Sequence, residues 1–310
     1  MDITLLPGTY IVAVSGGVDS MVLLDLLARQ AKRSQAKVSG SGSDGSDIQL
    51  VVAHFDHGIR ADSGADQLFV RRAAKVYSLP FVFDRGYLGP NASEASARTA
   101  RYRFLEAARR AAGARAIITA HHEDDRLETA FINTLRGTGR RGLSALKNHP
   151  TLLRPLLGTP KSELLAYAED NNIGWREDST NQDLRYLRNH VRHRLLPTLA
   201  ATHRAQLLQQ LNELQDVNYK IDRILVNHLH TQPVAGQLNR QWFIGLPFDL
   251  SCEIMITWLK AQAVTNLDKK RLAMVVVKAK TLNSGKQIVV DSHHILAVGK
   301  RGLALLMAER

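Results

Sequence analysis

At 310 residues the chain has room for two domains and for a sizeable core in the larger one. Its 45% hydrophobic and 23% charged residues are an ordinary globular mixture, but a formal net charge of +12 is not, and it favours a polyanionic partner, nucleic acid first. A single cysteine, Cys252, excludes a disulfide framework within the chain, a CxxC motif and a Cys-rich metal site. The opening MDITLLPG has no basic segment followed by an apolar one, and no apolar run is long enough to span a membrane, so a cytoplasmic protein is expected.

Taken in chain order, residues 10–14 read as a buried strand, followed by a helix over 18–29 with Val18, Met21, Val22 and Leu26 on one face. Residues 34–47, rich in Gly, Ser and Asp, read as a mobile surface insertion. Strands are expected at 48–55, 80–83 and 116–120, and helices at 61–77, 94–112 and 123–135. This alternation predicts an α/β domain, a parallel sheet with helices on both faces, whose ligands bind beyond the C-terminal strand ends. The texture changes near Pro197, where we expect a boundary between a catalytic domain (1–197) and an accessory domain (198–310). The second part is expected to be mainly helical, with a long amphipathic stretch at 203–229 and helices near 250–262 and 269–280. It ends in short strands at 287–291 and within 295–307.

The segment Ser15-Gly16-Gly17-Val18-Asp19-Ser20 lies where the first strand ends and a helix begins. Backbone N–H groups and the helix dipole favour an anion there, and two glycines let the backbone approach a phosphate. No GKS or GKT follows, so this is not a Walker A loop. Asp19 beside a phosphate requires a cation such as Mg²⁺ between them; the structural alternative is a glycine turn with a capped helix. Glu94, Arg98 and Arg101 share one helix face, as do His121, Asp125 and Glu128. Two neighbouring carboxylates at a strand end repel unless a cation or an ammonium lies between them. His54, Asp56, His57, His121, His122, Asp124 and Asp125 leave a metal-dependent phosphohydrolase as a rival reading, although Arg60 suits an anion better than a dication. No acidic residue lies between Glu128 and Glu163, while Arg136, Arg140, Arg141, Lys147 and Arg154 do. Arg185, Arg188, Arg192, Arg194 and Arg204 crowd the domain junction. Arg-rich segments beside a nucleotide site suit an RNA backbone.

The hexapeptide resembles the SGGxDS loop of enzymes that split ATP into AMP and pyrophosphate, whose fold is adenine nucleotide alpha hydrolase-like. Further segments resemble the tRNA(Ile)-lysidine synthase (lysidine synthetase) family within it: HFDHGIR at 54–60, EASARTARY at 94–102, HHEDDRLET at 121–129, LRGTG at 135–139, and EDSTN with YLRNHVR over 177–192. The resemblance covers about residues 10–197 in the family's order. It implies ATP-dependent ligation of free L-lysine to carbon 2 of the wobble cytidine of an isoleucine tRNA with a CAU anticodon, through an adenylated cytidine. Mg²⁺ would act with ATP, and a homodimer is left open. Carried over by motif, Ser15, Gly16, Gly17, Val18, Asp19, Ser20, His54 and Asp56 bind ATP, with Asp19 holding Mg²⁺ through the triphosphate. Asp19, Arg98 and Arg101 act in catalysis, and Asp125 and Glu128 bind lysine. The arginines Arg136, Arg140, Arg141, Arg188, Arg192 and Arg194 are expected on tRNA. The attacking amine must be neutral, whereas a carboxylate about 4 Å away at an effective dielectric of about 20 favours the ammonium by about 4 kcal/mol. At least one of Asp125 and Glu128 is therefore expected on the α-ammonium. A tRNA thiolase is the nearest alternative, and it would need a sulfur-carrying cysteine. Longer members of the family carry a further C-terminal module; here one accessory domain is expected.

Overall fold

A computed structural model of the chain describes all residues except Asp2 and 39–46, 59–62, 87–88, 90–92, 145, 178–186, 231–235, 265–266 and 309–310. At 35–38, 63, 94 and 230 it describes the backbone alone. Arg60, Arg185, the Glu94 side chain and most of the motif over 177–192 therefore lie outside what is described. The chain divides into two compact units, Met1–Leu211 and Asn212–Arg310.

In the first unit, β1 (Gly8–Ala13), β2 (Ile48–Asp56), β3 (Phe81–Arg85), β4 (Ala116–Ile118) and β5 (Leu152–Leu153) form a parallel sheet in the order β3-β2-β1-β4-β5. Around it run α1 (Val18–Val38), α2 (Ser63–Val76), α3 (Glu94–Ala111), α4 (Glu123–Leu135), α5 (Arg140–Leu143), α6 (Lys161–Asp170) and α7 (Leu187–His190). The strand pleat explains the layers. Tyr10 and Val12 of β1 face a core built with Val22, Leu23 and Leu27 of α1, Val70 of α2 and Leu164 of α6, while Ile11 meets Ala53, Ile117 and Leu105 of α3 on the other face. The central strands β1 and β4 are buried on both faces and need continuous apolar runs, which is how they read in the sequence, while β3 at the sheet edge is largely exposed.

The sheet's order reverses beside β1: β2 and β3 extend one way, β4 and β5 the other. Ligand crevices form at such a switch point, outside the C-terminal strand ends. One expectation changes here. The first part of the insertion expected at 34–47 is helical instead, because α1 runs on to Val38; Gln35, Ala36 and Lys37 are good helix formers, and the remainder over 39–46 lies outside the described residues.

Pro197 lies in a 3₁₀ turn (Leu196–Thr198) just ahead of α8 (Ala201–His230), the long amphipathic helix, which runs across the division between the units. The second unit continues with β6 (Gln237–Asn239), α9 (Arg240–Gly245), α10 (Phe248–Ala261), α11 (Lys269–Thr281), β7 (Gln287–Val289), β8 (His294–Val298) and β9 (Gly302–Met307). Its four strands pair in the order β6-β9-β8-β7, antiparallel, over a core that includes Phe243, Met255, Leu259, Val275 and Leu296. Among the described residues no helix is long and apolar enough to cross a membrane.

Candidate active site

A cavity of about 760 Å³ opens at the ends of β1, β2 and β4, lined among others by Ser15, Asp19, His54, Asp125 and His121. The loop after β1 forms its floor. Gly16 has φ +99°, a conformation that a side chain disfavours. Ser20 closes the turn: its hydroxyl accepts from the N–H groups of Ser15 (3.1 Å) and Gly16 (3.2 Å) and donates to the Gly17 carbonyl (2.9 Å). Ser20 therefore shapes the loop from inside, and the first turn of α1 presents its N–H groups at the cavity.

Asp19 leads α1 and meets two groups from distant segments. Lys161 Nζ, at the start of α6, lies 2.5 Å from its Oδ1, and His122 Nε2 lies 3.5 Å from its Oδ2. Burial works against the Asp19 carboxylate, but His122 and Lys161 together outweigh it and hold the carboxyl below its ordinary value. His122 also caps α4. Its Nδ1 accepts from the Asp124 N–H (3.2 Å), while the Asp125 carboxylate accepts from the His122 N–H (3.0 Å). With Nδ1 engaged as an acceptor, Nε2 carries the proton and faces both Asp19 and Asp125, 3.5 Å from each.

Glu128, one turn further along α4, is 0% exposed and is absent from the cavity wall. Arg192 grips it bidentately, Nε to Oε1 at 2.5 Å and Nη2 to Oε2 at 2.9 Å, and reaches Asp125 at 3.4 Å. Burial pushes the Glu128 carboxyl up, and Arg192 brings it only part of the way back. Arg192 sits in a π-helical turn (Val191–Leu195) that follows α7, and Arg188 of α7 lies 3.6 Å from the same carboxylate. π turns are rare and collect at functional sites. Arg188 and Arg192, expected on RNA, thus both reach the cavity wall. Arg204 is likewise paired with Glu123 and Asp124 at the start of α4. Arg136 is exposed on the cavity rim, Arg194 is exposed, and Arg140 and Arg141 lie half-buried on α5.

At the end of β2, His54 Nδ1 donates to the Val14 carbonyl (2.9 Å), and burial keeps its pKa low, so the ring is neutral with Nε2 as acceptor. Asp56 accepts from the Gly58 N–H (2.7 Å) and pairs with Arg85 (3.3 Å). Arg98 and Arg101 of α3 flank Tyr102, their Cζ atoms 4.9 and 5.6 Å from its ring centre, and line the cavity with Arg154. His121 bonds Thr119 Oγ1 (2.8 Å); it is pushed down to about 3, first by burial and, against the pull of Asp125, by Arg154, Arg98 and Arg101.

Two residues of this site were not singled out as such from the sequence. Lys161 lies at the end of the acid-free stretch and Arg154 within it; that bias was the signal, but nothing in it said which cations turn inward. The two-metal reading fails on its donors: His122 caps α4, Asp124 pairs with Arg204 and Asp56 with Arg85, and no metal-binding cluster forms among the described residues.

A strand–loop–helix anion cradle sits at the switch point of this parallel sheet, and the PP-loop domain model matches residues 7–199. The chain is 37% identical over 199 residues to a tRNA(Ile)-lysidine synthase of Geobacter sulfurreducens, covering 61% of this chain and 40% of that protein. It is 32% identical over 271 residues to one of Chlorobaculum tepidum, covering 82% and 78%. Within the PP-loop class the chain therefore belongs to the tRNA(Ile)-lysidine synthase family. It spans less than half of the length of the Geobacter relative. Among solved structures, the U34-tRNA thiolase NcsA of Methanococcus maripaludis is similar at 16% identity, with a TM-score of 0.45 and 76% of each chain covered.

Proposed function

We propose that this chain joins lysine to carbon 2 of the wobble cytidine of an isoleucine tRNA with a CAU anticodon, using ATP and releasing AMP and pyrophosphate. The observation that carries this reading is a single cavity lined by both the loop carboxylate Asp19 and the Asp125 carboxylate, each 3.5 Å from the buried His122 behind them, and also by Arg98, Arg101 and Arg154. An anion cradle and an ammonium site then share one space. Family membership supports the choice of substrates.

The triphosphate lies on the Ser15–Gly17 backbone and the first turn of α1, with Val18 and Asp19 leading the helix and the adenosine toward His54 and Asp56 on β2. His54 Nε2 is an acceptor there. Magnesium asks for one or two carboxylates beside phosphate oxygens and its own waters, and Asp19 fits that need. Bound there, it would neutralise charge on the departing pyrophosphate. The cytidine O2 attacks the α-phosphorus and pyrophosphate leaves. The neutral lysine side-chain amine then attacks carbon 2, loses a proton, and AMP leaves with the O2 atom. Arg98 and Arg101 meet the negative charge that develops on phosphate. As cations, they also help keep the amine beside them neutral. Asp125, which lines the cavity, takes the α-ammonium. Glu128, enclosed and already gripped, acts as a positioning residue that holds Arg192 in place. This divides the two carboxylates that the motif alone treats alike. Arg136, Arg140, Arg141 and Arg194 remain our candidates for the RNA backbone.

The thiolase reading lacks its sulfur. Cys252 sits in α10, packed against the second unit's core, and burial pushes its thiol up. The test is incubation with ATP, radiolabelled lysine and unmodified isoleucine tRNA. We expect label on the RNA with stoichiometric pyrophosphate release. ATP-dependent pyrophosphate release without lysine transfer would point to another modification and overturn the reading.

A further inference from the structure

Arg154 follows β5 directly and lines the cavity, yet is only 6% exposed. A buried guanidinium ordinarily sits against a carboxylate, because an uncompensated buried charge is costly. Among the described residues no carboxylate pairs with Arg154. Its Nη1 donates to the Lys147 carbonyl, and its backbone N–H donates to Asn148 Oδ1 (2.6 Å). Its Nε and the Tyr102 hydroxyl are both buried without a well-aligned hydrogen-bond partner, although Tyr102 lies near enough to hold the guanidinium's charge in part against burial. Burial and the nearby Arg98 both push this guanidinium down. Arg98 and Arg101 flank the Tyr102 ring, and all three cations bear on His121. An orphaned donor on a buried cation, in a wall of cations, marks an anion site.

We propose that Arg154, beside the Arg98 and Arg101 that serve the reacting phosphate, binds a phosphate of the nucleic-acid acceptor's backbone next to the reacting nucleotide. This rests on the functional reading above. The triphosphate has its own cradle after β1, with the adenosine toward β2. Arg154 follows β5, two strand spacings to the opposite side, or about 10 Å. The acceptor must enter from that side for its base to reach the α-phosphorus, and its backbone phosphates arrive with it. Arginine suits this role because its planar fork grips phosphate oxygens bidentately.

The test compares wild type, Arg154→Met and Arg154→Lys in binding an unmodified anticodon stem-loop RNA across a salt series, in binding ATP, and in melting temperature. Arg154→Met should lose about tenfold in RNA affinity. Its salt dependence should flatten by about one phosphate contact, a slope change of about 0.9. ATP affinity should stay within about twofold, and the melting temperature should hold or rise, because an uncompensated buried cation has gone. A purely structural arginine would lower the melting temperature and leave the salt slope alone. Should Arg154→Met not fold, Arg154→Lys should keep the slope and lose about threefold or more in RNA affinity; unchanged affinity there overturns the proposal. Loss of ATP affinity in place of RNA affinity also overturns it, assigning Arg154 to the triphosphate. Wild type binding RNA, with neither variant changed, sinks this inference alone. Wild type binding ATP but no RNA sinks the functional reading with it.

Discussion

Asp19 stands between a lysine and a histidine contributed by segments far along the chain, and its ionised form is what both recognise. Its folded carboxyl titrates below the ordinary 3.8, so it adds stability that is full above pH about 4 and is lost as pH falls through the depressed value. Asp19→Asn should leave RNA affinity unchanged, since no cation is removed, and should cut pyrophosphate release by about a hundredfold or more, since the carboxylate we propose for magnesium is gone. A pyrophosphate assay beside RNA titration separates the two. Arg192 poses the opposite problem. Removing it strands a carboxylate that is 0% exposed, and because Arg192 is itself a third exposed, we expect Arg192→Ala to cost about 2 kcal/mol rather than the full cost of breaking a buried pair. Glu128→Gln in the same chain should recover most of that loss, as a double-mutant cycle by urea unfolding would read. Additive losses would mean that the pair is not coupled.

At the scale of elements, α4 brings Asp125 and Glu128 to the site, and its N-cap holds two functions in one residue. His122 caps the helix through Nδ1 and faces Asp19 and Asp125 through Nε2. His122→Ala should cost about 1 kcal/mol through the lost cap. His122→Asn keeps a capping acceptor but not the second nitrogen, so it should restore the stability and leave pyrophosphate release impaired; thermal melts and the same assay decide it. Equal activity in His122→Asn and wild type would confine this histidine to capping. The helix itself was legible, since HHEDDRLET opens on a strand end with acidic residues in the first turn. The division of labour within it was not. Spacing places His121, Asp125 and Glu128 on one face, but only packing encloses Glu128 and leaves Asp125 open. β5 escaped reading for a simpler reason: two residues carry no periodicity. The π turn at Arg192 escaped it too, because apolar periodicity over five residues does not distinguish it from an α turn.

Over the whole molecule, two separate cores underlie the two units. Phe243 is wholly buried in the second, so Phe243→Ala should cost that unit about 3–5 kcal/mol while ATP affinity in the first stays the same. Differential scanning calorimetry with ATP titration checks this, and loss of ATP binding would contradict the units' independence. The net charge of +12 is a property of composition, and so is the polyanionic partner that it favours. By itself the sequence determined the strand–helix alternation, the loop at the end of β1 and the motif segments around it, because apolar periodicity and contiguous glycines act over a few residues. Tertiary structure alone decided which charges meet. Lys161 reaches Asp19 across 142 positions, Arg192 reaches Glu128 across 64, and Arg154 is buried with no carboxylate partner among the described residues. Such pairings follow from how strands and helices stack around the sheet. Side-chain spacing along the chain carries no record of them, because the free energy that selects them comes from burial and charge between residues brought together only when the core closes.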